Sequence, residues 1–422
     1  MKRIVIIGGG FAGVNLAKNL ADKGQFSIVL VDRNNYNFFP PLLYQVSTAF
    51  LEASSICYPF RKLFGTNSNT TFRMGELEKI VPAENNVILS SGELPYDILV
   101  LATGTQTNYF GMENVRKYAM PMKTFEDALN LRNHFLQNLE KAAITTDAGE
   151  RKRLLRVVVA GAGPTGIEIS GMLAEIQERV IAREYPEIRN GKQEAEIYLV
   201  EGGPKVLAAM SEASQKYTLK TLSRLGIEVK LNMQVKDFTG RKVTFTNGQE
   251  IETETLVWAA GVSASVFEGL PAEWYGRRKR LLVDEYNRIK GSDNVYAIGD
   301  TCIQTSETFY LDGHPQMAQP AIQQGTHLAK NLTALANNGQ QIPFKYFDKG
   351  SMAIMGIGKA VVDLPKPSMN LNGLFAWLIW LFIHLLSLIN FRNKLRTFAN
   401  WVGALATRDL ALRFIIRPTQ KL

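Results

Sequence analysis

The sequence predicts an α/β fold with two similar parallel-sheet domains, followed by C-terminal membrane-associated helices. Three observations support this prediction. A Gly-x-Gly-x-x-Gly motif follows a short β-branched run twice, at residues 8–13 and 161–166. Two further apolar runs, at residues 96–105 and 255–262, end in turns of small residues. Residues 374–391 are mostly apolar and contain no Asp, Glu, Lys or Arg, whereas the 422-residue chain as a whole has a globular composition.

The N-terminal motif has every part of a dinucleotide-binding loop. Gly8 permits the tight turn after the strand, Gly10 lets a pyrophosphate approach the backbone, and Gly13 lets the next helix pack on the strand. The helix N-terminus offers N–H donors to phosphates. Asp32 follows about 20 residues later, where it can accept ribose hydroxyl groups. Arg33 beside it is more simply a solvated loop charge than evidence for NADP.

The second motif comprises Gly161, Gly163 and Gly166 after a valine-rich run. Its acid is Glu201, at the end of "AEIYLVE", which comes late because residues 179–194 lengthen the connection. A carboxylate at this position hydrogen-bonds a free ribose and repels a 2′-phosphate. The second site is therefore predicted to prefer NADH to NADPH.

In this order the segments resemble those of flavoproteins with two dinucleotide-binding domains, and among them the type II NADH:quinone dehydrogenases. These are single-subunit respiratory enzymes that do not pump protons. The resemblance covers nearly the whole chain. It is carried by "NYNFFPPLLYQVST" (residues 35–48), "LATGTQTNYFGM" (101–112), "AGAGPTGIE" (160–168), "AIGD" (297–300) and "AQPAIQQG" (318–325).

This resemblance implies two Rossmann-like, glutathione-reductase-like domains, with non-covalent FAD in the first site, NADH in the second, and reduction of a membrane quinone. For FAD the implied contacts are Gly8, Gly10, Phe11, Ala12, Gly13, Asp32, Arg33, Ala102, Thr103, Gly104, Gly299, Asp300, Ala318 and Gln319. For NADH they are Gly161, Gly163, Pro164, Thr165, Gly166, Glu168, Glu201, Ala260 and Gly261. Asp300 is expected to contact the flavin ribityl chain.

The same resemblance implies the domain organisation. The FAD domain is expected in two parts, residues 1–115 and 266–366, around an NADH domain at 116–265. Residues 367–422 are expected to form an amphipathic membrane anchor, and a homodimer is implied.

Gln319 and Gln323 are the candidate quinone ligands. Their i, i+4 spacing puts them on one face of a helix predicted to start near Gln316 or Met317. Neutral amide donors suit the two carbonyl acceptors of a quinone, whereas the alternative is a pair of solvated glutamines. The positive end of this helix is expected to point at the pyrimidine side of the flavin.

Two further residues are candidates for proton transfer. Glu168 lies just after Gly166 and could relay a proton to the quinone, or it could simply be a carboxylate stabilised by the helix N-terminus. Lys359 is a weaker candidate, because a lysine between glycine and alanine is often a turn charge. His384 stands alone on an apolar face, where a packed or interfacial histidine is favoured over a catalyst.

The sequence lacks the residues that several other classes of enzyme or binding protein require. The segment after the first motif contains no thiol until Cys57, which sets aside disulfide reductases and sulfide:quinone reductases. No cysteine cluster for an iron–sulfur centre exists, no metal site is suggested, and no nucleic-acid-binding signature occurs. A soluble NAD(P)H reductase that serves a protein or oxygen, and a non-catalytic redox sensor, remain alternatives.

The apolar segment near the C-terminus predicts a membrane foot. As a helix, residues 374–391 would be about 27 Å long, just short of a bilayer core. His384, Ser387 and Asn390 form a polar stripe, and Trp377 and Trp380 are predicted interfacial residues. We predict two helices lying in one leaflet. A transmembrane hairpin and a buried dimer helix are the alternatives.

The second helix of this foot is predicted within residues 398–417. Its amphipathic pattern consists of Phe398, Val402, Leu405, Leu410 and Phe414. From residue 392 onward, seven Lys or Arg stand against one acid, which favours an anionic lipid surface. The N-terminal apolar run is too short for a signal peptide. We therefore expect peripheral attachment at the cytoplasmic face of the cell membrane, and an anchor that truncation after residue 367 removes without loss of activity toward water-soluble quinones.

Overall fold

The computed structural model describes residues 1–188, 195–407 and 413–416. The chain forms two compact units. The first comprises Met1–Phe38, Cys57–Gln106 and Val262–Asp348. The second comprises Phe39–Ile56, Thr107–Gly261 and Lys349–Leu422. Residues 349–366 are therefore part of the second compact unit, although the sequence analysis assigns them to the FAD domain. Which residues belong to the FAD domain and which to the NADH domain stays a prediction.

The described chain contains strands and helices, and several strands follow one another without an α-helix between them. The strands are β1 Lys2–Ile7, β2 Phe26–Asp32, β3 Tyr36–Phe38, β4 Cys57–Pro59, β5 Thr70–Met74, β6 Leu77–Val81, β7 Asn86–Leu89, β8 Gly92–Pro95, β9 Ile98–Leu101, β10 Thr105–Thr107, β11 Met120–Pro121, β12 Val157–Ala160, β13 Ile197–Val200, β14 Ile227–Lys230, β15 Val235–Phe238, β16 Lys242–Phe245, β17 Glu250–Glu252, β18 Thr255–Trp258, β19 Val262–Ala264, β20 Leu281–Val283, β21 Val295–Ala297, β22 Cys302–Gln304, β23 Ser351–Gly356, β24 Lys359–Pro365 and β25 Ser368–Asn372. The helices are α1 Phe11–Leu20, α2 Leu43–Ser47, α3 Phe60–Phe64, α4 Glu113–Tyr118, α5 Phe125–Ile144, α6 Ala148–Leu155, α7 Pro164–Ile176, α8 Ala182–Glu184, α9 Glu212–Arg224, α10 Ala318–Ala336, α11 Gly373–Ser387 and α12 Phe391–Thr407.

The first unit is built on a parallel sheet of order β21-β9-β1-β2-β5. Its central strand β1 is apolar and buried from Ile4 to Ile7, as expected for a parallel strand covered on both faces. Helix α1 makes the crossover from β1 to β2. The carboxyl ends of β1, β9 and β21 therefore meet at one edge, which is where ligands bind in open α/β sheets.

Helix α10 packs closely on α1 in this unit. A Cβ atom added to Gly325 would lie 2.4 Å from the carbonyl oxygen of Ala12, so only glycine allows this approach. Helix α10 begins at Ala318 with Met317 as its N-cap residue, which confirms the predicted start. The glycine of "AQPAIQQG" is thus explained by helix packing.

The second unit repeats the arrangement with a parallel sheet of order β11-β18-β12-β13-β14. Helix α7 follows β12 and leads toward β13. The antiparallel sheet β23-β24-β25 packs against this helix. Only glycine allows this contact at position 171, where an added Cβ would lie 2.3 Å from the carbonyl oxygen of Met355.

The C-terminal segment forms two helices, but their bounds differ from the prediction. Helix α11 ends at Ser387 because Leu388 adopts an extended conformation (φ −61°, ψ 140°). The side-chain oxygen of Asn390 then accepts a hydrogen bond from Asn393 N–H, which favours a new helix start. The prediction of one helix over residues 374–391 was therefore wrong at its end.

The second predicted helix also differs. Helix α12 begins at Phe391 rather than near Phe398, and Phe414 lies in a non-helical segment whereas Leu410 lies outside the described residues. Asn133 of α5 exchanges two hydrogen bonds with the backbone of Ile416, which places residues 413–416 beside that helix. Across the described ranges, no helix is both long and apolar enough to cross a membrane.

Helices α11 and α12 each have a buried and an exposed apolar face. The large exposed side chains include Leu374, Phe375, Leu378, Phe382 and Leu386 of α11, and Leu395, Phe398 and Val402 of α12. Trp377 and Trp380 are 7% and 0% exposed. Their predicted interfacial position is therefore wrong, because these rings fill the contact between the foot and the rest of the unit.

Candidate functional site

The first glycine loop lies at the carboxyl end of β1. Gly8 has φ +106°, and an added Cβ would lie 2.4 Å from the carbonyl oxygen of Ala102. A Cβ on Gly13 would lie 1.9 Å from the carbonyl oxygen of Gly8. By contrast, no atom lies within 4 Å of the corresponding position at Gly10. Two glycines thus serve the fold, and the third faces open space.

The acid of this loop is bound to its backbone. The Asp32 carboxylate accepts hydrogen bonds from Gly9 N–H at 2.7 Å and Asn34 N–H at 2.8 Å. Burial raises the pKa of Asp32, although these two bonds and the Arg33 charge oppose that effect. Each oxygen keeps a further acceptor site for a hydroxyl group. Arg33 itself is exposed.

The remaining predicted FAD residues gather at the same edge of the first sheet. Ala102 to Gly104 follow β9, and the Thr103 hydroxyl lies 3.2 Å from the Thr301 hydroxyl. Gly299 follows β21 with φ +75°, and an added Cβ would lie 3.2 Å from Ala12 Cβ and 3.3 Å from Ala321 Cβ. The loops after three strands and the start of α10 therefore adjoin the glycine loop.

The second glycine loop has the same geometry in its own unit. Gly161 has φ +102°, and an added Cβ would lie 2.5 Å from the carbonyl oxygen of Ala259, next to Ala260. A Cβ on Gly166 would lie 1.8 Å from the carbonyl oxygen of Gly161, while the position at Gly163 is open. Pro164 occupies the first helical position, which suits proline.

Glu201 is the structural counterpart of Asp32. Its carboxylate accepts hydrogen bonds from Ala162 N–H at 2.7 Å and Gly203 N–H at 2.8 Å. These donors occupy the same positions relative to the loop and the acid as Gly9 and Asn34 do in the first unit. The long insertion before Glu201 thus leaves its place in the loop unchanged.

Both loops fit a pyrophosphate-containing nucleotide. The cradle consists of an open glycine position, the N-terminus of a helix without acidic residues in its first turn, and a carboxylate at the strand end. Free N–H groups at that helix end bind phosphate oxygens, and the carboxylate accepts ribose hydroxyls. The residues present therefore fit a dinucleotide in each unit, and the assignment of FAD to the first and NADH to the second stays a prediction.

The two predicted quinone glutamines have unequal surroundings. The Gln323 side chain makes two hydrogen bonds with the backbone of Phe347: its amide donates to the carbonyl at 2.8 Å, and its oxygen accepts from N–H at 3.0 Å. Gln323 therefore connects the backbone of Phe347 to α10 through two hydrogen bonds. Gln319 lies in the first turn of the helix and is partly exposed. Gln324, which the sequence analysis did not single out, is buried and accepts from Gly299 N–H at 2.6 Å.

Glu168 projects from α7 into the interior of the second unit and is 9% exposed. Burial raises its pKa well above the usual range of a carboxyl group, and a backbone hydrogen bond with Ile354 opposes that effect only in part. Burial therefore favours the protonated, uncharged form of this carboxyl group. This protonation state suits an acid that gives a proton and takes it back.

Lys359 pairs with a different acid. Its ammonium lies 3.5 Å from the carboxylate of Glu175, which also receives Arg179 at 2.7 Å and Ile357 N–H at 3.3 Å. Glu175 is 4% exposed and lies two turns beyond Glu168 on α7. The pairing holds the turn between β23 and β24 against the helix. Glu175 escaped sequence analysis because only the packed hairpin reveals its partners.

A narrow crevice in the second unit has room for about one water molecule, roughly 10 Å³. Its walls include Met172 of α7, Ile354 of β23, Trp377 and Leu381 of α11, and Trp401 and Leu405 of α12. Gln45 of α2 supplies the polar part of the lining. The foot therefore builds part of an interior surface in addition to exposing apolar side chains.

His384 is packed, as predicted. Its ring stacks on Trp380 with 3.8 Å between centroids, and its Nδ1 lies 2.8 Å from the Trp380 carbonyl oxygen. Burial lowers the pKa of His384 to about 4, so the ring is neutral near pH 7. A neutral stacked ring has a packing role.

Comparison with known proteins gives two family matches. Residues 2–325 match the family described as "Pyridine nucleotide-disulphide oxidoreductase", and residues 349–409 match the "NDH2 C-terminal domain". The second match covers the hairpin sheet and both helices of the foot.

Individual relatives agree with these matches. The chain is 35% identical to the type II NADH:quinone oxidoreductase NdhA of Mycobacterium tuberculosis, over 94% of this chain and 86% of the relative. It is 29% identical to a probable mitochondrial NADH-ubiquinone oxidoreductase of Schizosaccharomyces pombe, over 95% and 82% of the two chains. The structure of NDH2 from Plasmodium falciparum in complex with NADH has the same fold, with a TM-score of 0.88, 22% identity, and 99% and 100% coverage.

Proposed function

The chain belongs to the pyridine nucleotide-disulphide oxidoreductases and, within them, to the type II NADH:quinone oxidoreductases, and from this premise we propose how its residues divide the work. It is an FAD-dependent enzyme that oxidises NADH and reduces a membrane quinone to quinol without pumping protons. The observation that carries this conclusion is the pair of matching nucleotide cradles, one in each unit, in a chain whose C-terminal helices expose apolar faces.

In each unit the cradle binds and orients one nucleotide. The first-turn N–H groups of α1 hold the FAD pyrophosphate and Asp32 holds a ribose, while α7 and Glu201 do the same for NADH. When bound, FAD accepts a hydride and passes electrons to the quinone. The positive end of α10, beginning at Ala318, stabilises negative charge on the reduced ring, and Gln319 donates a hydrogen bond to a quinone carbonyl.

Glu168 supplies a proton to the quinone. NADH contributes a hydride, which is two electrons and one proton, so the quinol requires one more proton. A buried carboxyl group whose pKa is raised can give that proton and recover it from water. Lys359 is the weaker candidate for this role, because its ammonium group is paired with the carboxylate of Glu175.

The exposed faces of α11 and α12 support peripheral attachment to one leaflet of the cytoplasmic face of the cell membrane. Arg392, Lys394 and Arg396 adjoin these apolar faces and favour anionic lipid. A homodimer is part of the same proposal and rests on the family resemblance.

Steady-state turnover tests the proposed function. Purified protein with FAD is assayed with NADH or NADPH and with a long-chain quinone, a water-soluble quinone or ferricyanide, with and without anionic vesicles. NADH should be the better donor, and vesicles should raise long-chain quinone reduction most. Turnover with ferricyanide but none with any quinone would indicate a reductase that serves another acceptor. Glu168→Gln should lower quinone turnover and spare ferricyanide, which takes electrons without protons.

A further inference from the structure

The loop between β22 and α10 in the first unit holds two large apolar side chains in solvent. Phe309 is 93% exposed and Leu311 is 71% exposed. Tyr310 between them packs inward, with its ring centroid 5.1 Å from that of His314 and 5.4 Å from that of Tyr346. Because His314 is 2% exposed, the loop is anchored in the interior while its tip projects outward.

Hydrogen bonds fix the conformation of this loop. The Glu307 carboxylate lies 2.8 Å from His314 Nε2 and accepts from Tyr346 N–H at 2.9 Å. Tyr310 N–H donates to the Glu307 carbonyl at 3.0 Å, and Gly313 N–H donates to the Tyr310 carbonyl at 2.8 Å. The exposure of the two apolar side chains is therefore a property of a packed loop.

A basic turn lies beside the loop. It spans residues 277–280 and is closed by a hydrogen bond from Arg280 N–H to the Arg277 carbonyl at 3.3 Å. The Arg277 guanidinium lies 3.2 Å from the Asp312 carboxylate. The Arg280 guanidinium donates to the His314 carbonyl at 3.2 Å. These two contacts join the turn to the loop that carries Phe309.

The two central residues of the turn have a backbone that is unfavourable for their type. Arg278 has φ +57° and Lys279 has φ +61°. Positive φ at both central positions is typical of a type I′ turn, in which Asn-Gly is preferred because it adopts this conformation with the least strain. Both side chains are exposed, and neither forms an ion pair or hydrogen bond with a described residue. The turn thus carries two cations that its own folding disfavours.

We propose that the basic turn (residues 277–279) and the loop tip (residues 309–311) together form a membrane contact on the first unit, in addition to the foot, and bind a leaflet that contains anionic lipid. This inference rests on the proposed peripheral attachment. The cations bind lipid phosphates, while Phe309 and Leu311 enter the boundary between head groups and acyl chains. Charge alone would also suit an acidic protein, but single apolar side chains that project beside cations fit this boundary better.

The position of the loop in the chain gives the contact a function. The loop leads directly into α10, whose first turn carries Gln319, the residue proposed to bind quinone. Contact with lipid holds the start of this helix at the surface where a long-chain quinone resides. The contact therefore favours long-chain quinones over water-soluble ones.

Replacing the basic turn should have opposite effects on stability and on membrane binding. The charge variant, Arg278→Asn with Lys279→Gly, introduces the preferred residues of a type I′ turn, so its melting temperature should rise. Its affinity for vesicles that contain phosphatidylserine should fall by about 10- to 30-fold, because each cation near an anionic surface contributes to binding. Thermal unfolding and cosedimentation with vesicles measure the two effects. Damage to the fold would lower both quantities together.

Two further variants separate charge from apolar contact. Arg278→Lys with Lys279→Arg keeps both charges and should retain the parental vesicle affinity. The apolar variant, Phe309→Ser with Leu311→Ser, should weaken binding roughly tenfold to anionic and zwitterionic vesicles alike, because apolar burial does not depend on lipid charge. Ile144→Ser is the matched control: this side chain is 83% exposed in the second unit, and its replacement should leave binding unchanged.

Turnover gives an independent readout. In anionic vesicles the charge and apolar variants should raise the KM for a long-chain quinone. With a water-soluble quinone in the absence of vesicles, both should retain the parental kcat and KM.

Parental vesicle affinity in either the charge variant or the apolar variant would overturn the inference. If such a variant also had a lower molecular mass in solution, the surface would belong to the contact with a second copy of the chain. Failure of the proposed peripheral attachment looks different, because the parental protein itself would then not sediment with anionic vesicles.

Discussion

The two glycine loops have the same backbone geometry, but the helices that follow them differ in chemistry. Gly8 and Gly161 have φ values of +106° and +102°, and each acid binds an N–H group of its loop. Helix α1 buries only small and apolar residues and Gly13. Helix α7 buries Glu168 and Glu175 on its face toward β23. The loop thus provides nucleotide binding, and the helix face provides the additional acid chemistry.

A smaller difference lies inside the loops. The residue that donates to the acid is Gly9 in the first unit and Ala162 in the second. A Cβ on Gly9 would lie 2.2 Å from Cζ of Phe60, whereas Ala162 is accommodated. The first loop is thus covered by the ring of Phe60 at this point.

The largest expected effect comes from replacing the glycines that folding requires, in contrast to the glycines that ligand binding requires. Gly13→Ala and Gly166→Ala force a Cβ within 2 Å of a carbonyl oxygen, so we expect insoluble or unfolded protein. Gly10→Ala and Gly163→Ala meet no protein atom and should fold. The first of these should lose FAD, and the second should retain FAD with a raised KM for NADH. Soluble yield, flavin absorbance and NADH titration measure the outcome. Equal soluble yields for all four variants would contradict the distinction between glycines required for folding and glycines required for ligand binding.

The two acids provide the next test. Glu201→Gln should raise the KM for NADH by roughly 10- to 100-fold, because a charge-assisted hydrogen bond is worth about 1.5–3 kcal/mol. The same substitution should reduce the difference in KM between NADH and NADPH. Asp32→Asn should instead lower FAD retention and leave the preference for NADH intact. Parental preference for NADPH would show that Glu201 has been assigned wrongly.

The hairpin sheet of the second unit should show a pH-dependent contribution. Burial alone would raise the pKa of Asp363, but hydrogen bonds from Ser214, Ser211 and Asn370 outweigh it and lower the pKa. Asp363→Asn should cost about 1–2 kcal/mol at pH 7. Because the folded-state pKa is below the unfolded one, this difference should persist above about pH 4 and disappear as the pH falls through the folded pKa. Urea unfolding at pH 7 and at a series of lower pH values measures it, and a cost that does not shrink as the pH falls would contradict the assignment.

The smallest expected effect concerns the two glutamines of α10. Gln323→Leu removes two hydrogen bonds to Phe347 and should lower the free energy of unfolding by about 1 kcal/mol. Gln319→Leu should leave stability nearly unchanged and reduce turnover with quinones of every chain length. Thermal melts and quinone assays separate the two. A quinone-specific loss in Gln323→Leu without destabilisation would restore its predicted role as a ligand.

The tertiary structure changes the expected outcome of removing the foot. Sequence analysis predicts that truncation after residue 367 spares water-soluble quinone reduction. In the structure Trp401 and Leu405 line an interior crevice, and Trp380 is fully buried. Truncation would expose this surface, so single substitutions such as Trp401→Phe are the better probes.

The sequence alone determined both nucleotide loops, because glycine at a positive φ and an acid at a strand end are local requirements that leave a local pattern. It also determined the start of α10 and the apolar character of the foot. Only the tertiary structure decided which groups meet. The pairing of Glu175 with Lys359, the fastening of Phe347 by Gln323, and the hydrogen bond from Trp401 to Gln45 join residues far apart in sequence. Such contacts depend on how the elements pack in three dimensions, and no local sequence pattern predicts that packing.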